Sequence, residues 1–351
     1  MGKPTWAQRV QCLLLAVFLG VMVLLYIFLP KSDFSTLEKR ELSQFPELDQ
    51  NFGAKMETYL SDHLPGRSFF LGVDAYWNLV TGRRGEIYAA RGGRLVEAPA
   101  EMGRGLKNID YVNQFQEKTG LPVDLLLVPS AGFLMEASIY PPHRPYRDGE
   151  ILAEILKKSR VSAVSVDYKN PEALFYRTDH HWTSLGAFTA CNAYLAQLGK
   201  PELEREDFEI QVVPDFYGST YCRSCLWLTA GEALEIWRSP AKIQVEGASG
   251  LFDMEKAAGA DKYAIFLGGN QPLVRLKNPA QQGKILVLRD SFGSCFAPFL
   301  AQRFGEVVLL DLRYDKESVA RLCTEENFDR VLVLYGLNTF LTDGSFVFLG
   351  S

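Results

Sequence analysis

The chain has 351 residues, of which 47% are hydrophobic and 12% aromatic, a composition that excludes a disordered chain and supplies a sizeable core. Its formal net charge is −5 and its pI is about 5.6, so the sequence offers no basic face for nucleic acid or anionic lipid. A neutral, polyhydroxylated partner fits this charge balance.

A long apolar segment lies near the N-terminus. No residue from Cys12 to Leu29 is charged, and this length nearly reaches the ~20 residues that a helix needs to cross a bilayer. No small-residue cleavage site follows the segment, which favours an uncleaved anchor over a cleaved signal peptide. Basic residues flank both ends and do not decide the orientation. The short N-terminal tail favours export of the long C-terminal part. We predict a tail over residues 1–11 and a transmembrane anchor over 12–30.

Residues 31–82 are predicted to form a charged stalk followed by docking helices. An amphipathic helix is expected from Phe52 to Leu60, and helical spacing resumes from Phe69 to Leu79. The pattern from Gly85 to Val96 is typical of a β-hairpin. The folded domain is therefore predicted over residues 83–351.

Short apolar runs alternate with helix-like segments through this domain. The predicted strands are residues 123–128, 263–267, 285–288, 307–310 and 331–334. The predicted helices lie near residues 101–118, 149–159, 183–197, 294–303 and 316–323. Continuous rather than alternating apolar strands indicate a parallel sheet that is covered on both faces. An α/β fold with a doubly wound, mostly parallel sheet is therefore predicted.

Cys222 and Cys225 form a C-x-x-C motif in a turn-like stretch. A zinc site would need a second pair of ligands, which the sequence does not offer in the usual spacing. A thioredoxin-like motif would follow a strand and open a helix. In an exported domain a local disulfide is the favoured interpretation, and free thiols are the alternative.

Two of the four histidines are adjacent, in the segment Asp179-His180-His181-Trp182. Thr183 or Ser184 is a good N-cap, which places this segment directly before a helix. An aspartate two positions from a histidine can accept its Nδ1–H and leave Nε2 free as a base. Three interpretations compete: packed histidines beside a helix cap, a metal site, and the base of an acyl-transfer site.

Two other segments follow predicted strands. Ser291 comes after the strand 285–288 and opens a helix, the position at which open α/β sheets bind ligands. Its backbone N–H and the helix dipole suit an oxyanion. In the second segment, Gly269 permits close backbone approach and Asn270 offers an amide donor. Each segment alone also fits a plain cap or turn. Cys295, inside the helix, is an alternative nucleophile that better fits a packing role.

In their order and spacing these segments, together with the motifs at residues 38–46 and 59–67, resemble the DHHW proteins. That family is related to the alginate O-acetyltransferase (SGNH-hydrolase-like) group. The resemblance covers nearly the whole chain and implies an SGNH-hydrolase-like fold. In the site that it implies, Asp179 orients the ring of His181, His181 is the base and Ser291 is the nucleophile. The predicted oxyanion or substrate-binding residues are Asn270, Gly269, His180 and Trp182. No metal is expected.

The resemblance implies a membrane-anchored, extracytoplasmic serine O-acetyltransferase or acetylesterase that acts on exopolysaccharide or another cell-surface polysaccharide. Such an enzyme would need no cofactor and would work alongside a membrane-bound O-acyltransferase. The alternative is a non-catalytic carbohydrate-binding or assembly protein of the same fold, in which aromatic side chains stack on sugars. The aromatic candidates are Tyr176, Trp182, Phe216 and Tyr217.

Overall fold

The computed structural model describes residues 5–35, 40–83, 85–314 and 319–349. Its α-helices are α1 (Trp6–Phe28), α2 (Phe52–Asp62), α3 (Arg67–Thr81), α4 (Gly105–Thr119), α5 (Ala131–Leu134), α6 (Asp148–Lys158), α7 (Pro171–Leu174), α8 (Ser184–Gln197), α9 (Ser219–Ser224), α10 (Phe292–Leu300), α11 (Val319–Glu325) and α12 (Leu337–Thr342). Its strands are β1 (Phe34–Ser35), β2 (Arg40–Glu41), β3 (Ile87–Ala90), β4 (Arg94–Glu97), β5 (Val123–Val128), β6 (Ser162–Ala163), β7 (Glu209–Phe216), β8 (Glu232–Arg238), β9 (Gln244–Glu246), β10 (Leu273–Lys277), β11 (Lys284–Arg289), β12 (Glu306–Leu310) and β13 (Arg330–Gly336).

Three of the sequence predictions include residues outside these described ranges. The first four residues of the predicted tail, residues 38–39 of the N-terminal motif and the start of the helix predicted near 316 lie outside the described residues.

The N-terminal helix α1 has 23 residues, and none of its side chains is buried. Thr5 caps it: the Thr5 hydroxyl accepts the backbone N–H of Gln8, and the Gln8 side chain accepts that of Thr5. In the described part of the chain it is the one helix long and apolar enough to cross a membrane. These properties suit a single-pass anchor and a signal sequence alike.

The domain is built on a seven-stranded sheet with the order β6-β5-β13-β11-β12-β10-β9. Five strands, β6 to β12 in that order, pair in parallel. At one edge β10 and β9 pair antiparallel. The predicted mixed α/β fold with a mostly parallel sheet is confirmed.

Both faces of the sheet are covered, which explains the continuous apolar strands. In β11, Ile285 and Val287 enter one core, whereas Leu286 and Leu288 enter a second core on the opposite face. Helices α8 and α10 contribute to the first core, and α4, α6 and α12 to the second. Because successive side chains of a strand point to opposite faces, most positions of these strands are apolar. Asp124 in β5 and Arg289 in β11 are buried polar exceptions.

A crevice is expected where β11 and β13 end. These two strands are neighbours, yet α10 leaves β11 toward the first core and α12 leaves β13 toward the second. The two chain segments therefore diverge at the carboxyl edge of the sheet. Such a divergence is where open α/β sheets bind ligands.

The predicted strand at residues 263–267 is wrong. Residues Lys262–Ile265 form a 3₁₀ turn, and Phe266 makes an isolated bridge with Phe252. Three other residues of this run, Tyr263, Ile265 and Leu267, are buried in the first core with Phe266. A short apolar run marks burial, and periodicity alone does not tell a strand from another buried segment.

The Cys222–Cys225 motif does not lie in a plain turn. Residues Ser219–Ser224 form the short helix α9, and Cys225 ends it with a left-handed backbone, φ 56°. The motif therefore closes a helix instead of opening one, unlike a thioredoxin-like site. The local disulfide stays a prediction.

Candidate active site

Ser291 lies in the turn between β11 and α10. Its side chain is partly exposed, whereas the preceding Asp290 is fully buried. Asp290 accepts the backbone N–H of Phe292 at 3.0 Å and that of Gly336 at 2.9 Å. Burial raises the pKa of Asp290, while these two donors act to lower it. Because Gly336 ends β13, Asp290 fastens the serine turn to the neighbouring strand.

The same turn offers a donor for an oxyanion. The backbone N–H of Ser291 has no hydrogen-bond partner among the described residues. It lies at the N-terminus of α10, where the helix dipole favours negative charge. An N–H group at such a position is suited to bind a negatively charged oxygen.

The Asp-His-His-Trp segment forms a tight loop directly before α8. A bridge between Phe175 and Trp182 closes the loop, and the predicted N-cap is confirmed, because the Thr183 side chain caps α8. Asp179 is buried in the loop and accepts the backbone N–H of His181 at 2.9 Å. The local turn therefore holds the Asp179 carboxylate next to His181.

Asp179, His181 and Ser291 form one chain of hydrogen bonds. His181 Nδ1–H donates to Asp179 Oδ1 at 2.5 Å, and Ser291 Oγ–H donates to His181 Nε2 at 2.7 Å. The other oxygen of Asp179 accepts the backbone N–H of Ser219 at 2.6 Å. In such an array the carboxylate orients the imidazole, and the imidazole takes the proton of the hydroxyl.

The surroundings of His181 keep its ring neutral. Tyr263 stacks on the ring with centroids 3.9 Å apart and planes 8° apart, and the Phe292 ring centroid lies 4.9 Å away. Burial, together with the neighbouring His180, lowers the pKa of His181 to about 4. Burial acts to raise the pKa of Asp179, but the two histidines and the hydrogen bonds hold it well below its usual value. At neutral pH an ionised carboxylate thus faces a neutral imidazole that can accept a proton.

His180 is the more exposed histidine of the pair. The centroids of the two rings are 3.8 Å apart, and His180 Nδ1 lies 2.7 Å from Ser219 Oγ. Asp179, His180 and His181 could offer three metal-ligating atoms within 4.8 Å of one another. However, both ring nitrogens of His181 and both oxygens of Asp179 already bind protein groups, so the geometry favours the hydrogen-bonded interpretation.

A cavity of about 550 Å³ opens beside His180 and Phe292. It lies at the carboxyl edge of the sheet, in the crevice that the diverging helices create. Its lining includes Leu95, Ser130, Leu337 and Asn338, and its volume is in the range of ligand pockets in proteins.

One wall of this cavity is charged but internally paired. Glu97 forms an ion pair with Arg223 of α9, and it accepts Asn338 Nδ2–H at 3.1 Å. Burial acts to raise the pKa of Glu97, but His180, Arg223 and Asn338 outweigh this effect and hold the pKa below its usual value. The wall thus presents an ionised, fully partnered carboxylate.

Asn270 and Gly269 do not line this cavity. Asn270 is exposed, and its Oδ1 accepts the guanidinium of Arg289 at 3.4 Å. Arg289 is fully buried and also donates to Ser294 Oγ and the Gln271 carbonyl. The structure therefore gives Asn270 Oδ1 a protein partner, and the oxyanion role of Asn270 stays a prediction.

Trp182 is not available to a ligand either, because its side chain is 0% exposed. It packs against Phe292 and Phe296 of α10 and thereby supports the serine turn from behind. Tyr176 and Phe216 are equally buried. Their aromatic character serves the core, which the sequence alone does not reveal.

Several site residues were missed by the sequence analysis. Tyr263 belongs to the run that was predicted as a strand, and Ser219 and Arg223 belong to the stretch that was considered for its cysteines. Glu97 and Asn338 lie far from the motifs in the sequence. No local pattern marks these residues. Only the tertiary fold brings Tyr263 and Ser219 to the Asp-His-His-Trp loop and the other three residues to the cavity.

The fold and site together define an α/β protein with a Ser-His-Asp array at the carboxyl edge of a mostly parallel sheet. The family model of the DHHW proteins matches residues 156–235, which include the Asp-His-His-Trp loop. The resemblance predicted from the sequence is confirmed. No curated protein matches the chain.

Solved structures share this fold. A DHHW family protein from Eubacterium siraeum is 22% identical with a TM-score of 0.62, over 72% of this chain and 93% of that chain. Bacillus cereus PatB1 with a sulfonyl adduct is 22% identical with a TM-score of 0.64, over 75% of this chain and 99% of that chain. At such identities the likeness concerns the fold alone.

Proposed function

We propose that the chain is a membrane-anchored, extracytoplasmic serine O-acetyltransferase or acetylesterase that acts on a cell-surface polysaccharide. The observation that carries the proposal is the continuous path from Asp179 through His181 to Ser291, with 2.7 Å between His181 Nε2 and Ser291 Oγ. The neutral state of His181 and the unengaged N–H of Ser291 support it.

The chemistry would proceed in two steps. Ser291 Oγ attacks the carbonyl carbon of an acetyl ester while His181 takes the hydroxyl proton, and the bond to the leaving alcohol breaks as His181 returns that proton to it. In the second step an acceptor hydroxyl, or water, gives its proton to His181 and attacks the acetyl-serine. The acetylated acceptor, or acetate, then leaves and Ser291 regains its proton.

The proposed acceptor class rests on two considerations. Resemblance to the alginate O-acetyltransferase group implies a polysaccharide. The cavity wall suits a neutral, hydroxylated ligand because Arg223 and Asn338 Nδ2 already partner Glu97, whereas the buried Asn338 Oδ1 has no partner among the described residues and could accept a hydroxyl. A charged ligand would have to compete with these internal partners. The export of the domain and the supply of acetyl groups by a membrane-bound O-acyltransferase rest on the resemblance.

The alternative, a non-catalytic carbohydrate-binding protein, loses its main support. Three of its four aromatic candidates, Tyr176, Trp182 and Phe216, are buried. A hydrogen bond between nucleophile and base is also more than a binding module needs.

An acyl-enzyme trap tests the proposal. The full-length chain in detergent is treated with an activated acetyl ester and, separately, with a sulfonyl fluoride, since the related PatB1 structure holds a sulfonyl adduct. Peptide mass spectrometry should locate one acetyl or sulfonyl group on Ser291. Ser291→Ala should abolish the modification.

Cys295→Ala provides the matched control. Cys295 lies four residues from the serine, is completely buried, and has a pKa that burial raises to about 12. This variant should be modified at the wild-type rate. Modification that persists in Ser291→Ala, or that lies on another residue, would refute the proposed nucleophile.

A further inference from the structure

Helix α3 carries an apolar stripe on its exposed side. The stripe consists of Phe69, Phe70, Val73, Trp77 and Val80, whose side chains are between 41% and 82% exposed. At 3.6 residues per turn these positions fall within an arc of about 100° on the helix surface. A contiguous apolar surface of this kind marks an interaction site.

The flank of α3 next to Phe69 packs on the domain. Trp227 lies so close to Gly72 that a Cβ atom at that glycine would be 1.7 Å from the indole ring. Tyr76 accepts the backbone N–H of Leu228 at 2.8 Å. This flank fixes the helix to the domain, and Trp227 also stacks on Phe69 at the edge of the stripe. The rest of the stripe, from Phe70 to Val80, remains exposed.

The start of α3 lies next to the end of α1. In the turn between α2 and α3, His63 Nε2 is 3.2 Å from the carbonyl oxygen of Ser32. Residues 29–32 and 64–67 line one surface cleft. If α1 spans a bilayer, α3 therefore begins at the point where the chain leaves it.

We infer that α3 lies in the membrane interface and that its apolar stripe inserts into lipid, as a second membrane contact beside α1. This inference rests on the proposed anchoring by α1. Continuity with the end of α1 identifies lipid as the occupant. The composition agrees, because tryptophan and phenylalanine favour the membrane interface and the flank of the stripe is polar, with Asp74 and Asn78.

The contact would fix the height and tilt of the active site above the bilayer. Trp227, which packs on α3, follows α9 by three residues, and α9 supplies Ser219 and Arg223 to the site. A helix of 15 residues is about 22 Å long. Two membrane contacts over that length stop the domain from rotating freely about its stalk.

Fluorescence of the full-length chain in lipid nanodiscs tests the inference. The signal of Trp77 is taken as the difference between the wild type and Trp77→Phe. Doxyl-labelled lipid with the quencher near the headgroup should remove most of this signal, and aqueous iodide should leave it intact. If iodide removes the Trp77 signal and the doxyl lipid does not, in nanodiscs that contain no other membrane protein, the inference is overturned and the stripe fits a protein partner instead.

Matched variants separate insertion from folding and catalysis. Val73→Asp combined with Val80→Asp should abolish the lipid quenching of Trp77. Val212→Asp, at an exposed valine of β7, should leave it unchanged. Acetylation of Ser291 is followed in the same samples, so a failure of lipid contact and a failure of the proposed catalysis give different results. Unchanged quenching in the double variant would also overturn the inference.

Discussion

His181 combines two properties that oppose each other in an exposed histidine. Its Nδ1–H donates to an ionised carboxylate, which favours the protonated ring, yet burial between Tyr263 and Phe292 disfavours the charge more strongly. The ring therefore stays neutral while its orientation is fixed. Both properties are needed in a general base that works near neutral pH.

The pH dependence of ester turnover should reflect the lowered pKa of His181. The pKa of His181 is lowered to about 4, and only the unprotonated Nε2 can take the proton of Ser291. We expect kcat/KM to be constant from about pH 6 to 8 and to fall with a midpoint near pH 4. Circular dichroism at each pH confirms that the fold is retained. A midpoint near 6.5, the ordinary histidine value, would contradict this prediction.

Removal of the neighbouring histidine should shift that midpoint upward. His180 acts to lower the pKa of His181, so His180→Gln should move the acid limb of kcat/KM to higher pH. His143→Gln, at a histidine outside the site that is held by Arg144 and Glu136, is the control and should leave the limb unchanged. An unshifted limb in His180→Gln would restrict His180 to a packing role.

At the scale of elements, the short helix α9 links the site to the rest of the domain. Its first residue, Ser219, binds both Asp179 and His180, and Arg223 pairs with Glu97 in the cavity wall. The helix can approach this closely because Gly218 precedes it. A Cβ atom at Gly218 would lie 2.2 Å from the Cβ of Asp179.

Gly218→Ala should therefore push α9 and Asp179 apart. The backbone at Gly218, φ −82°, suits alanine, so the effect would come from the side-chain clash alone. A misplacement on the order of 1 Å costs about 10²-fold in rate, and we expect a loss of this size in the acetylation rate of Ser291. The measurement is peptide mass spectrometry over a time course.

Gly53→Ala in α2 is the matched control, because a Cβ atom there would meet nothing within 4 Å. It should leave the acetylation rate unchanged and stabilise the helix by about 0.5–1 kcal/mol. Equal rates in both variants would show that the approach of α9 does not position Asp179.

The parallel strands could be predicted because a strand that is buried on both faces needs a continuous run of apolar residues. The runs at residues 123–128, 285–288 and 331–334 became β5, β11 and β13. The antiparallel pair β7 and β8 was not predicted, since only two of the eight residues of β7 are buried and its apolar residues do not form a continuous run. The local pattern of apolar residues indicates which segments are buried, and it indicates little about a strand that is exposed to solvent.

The residues of the site likewise fall into those that the sequence could predict and those that it could not. The loop at Asp179–His181 and the turn at Ser291 could be predicted, because each lies beside a recognisable helix start and the family resemblance joins them. Asn270 is predicted as an oxyanion donor because its amide follows two glycines and an apolar run. That run forms no strand and packs in the core, while the donor role of Asn270 stays a prediction. The cavity wall at Glu97 and Asn338 depends on a separation of 241 positions in the chain, which no local signal encodes.

At the scale of the whole molecule, we expect α1 to be retained as an anchor. Full-length chain from expressing cells should stay in the membrane pellet after a carbonate wash, and its mass should include residues 1–30. Protease added outside the cells should digest the domain. A mature chain that begins after residue 30 would instead identify a cleaved signal sequence.

Charged variants test which segment holds the chain in the membrane. Leu19→Lys combined with Val23→Lys should release the chain, because a lysine near the bilayer centre costs about 2.5–3.5 kcal/mol. Leu48→Lys, at a side chain that is 88% exposed outside α1, should remain bound. Retention of the double variant would point to another attachment.

The position of β13 in the sheet has a consequence for biosynthesis. This strand lies between β5 and β11, and it follows every other strand among the described residues. Until residues 330–336 arrive, β5 and β11 have no common neighbour, and Asp290 lacks the Gly336 N–H that anchors the serine turn. A chain in which these residues have not yet joined the sheet would thus carry a serine turn without its anchor on β13.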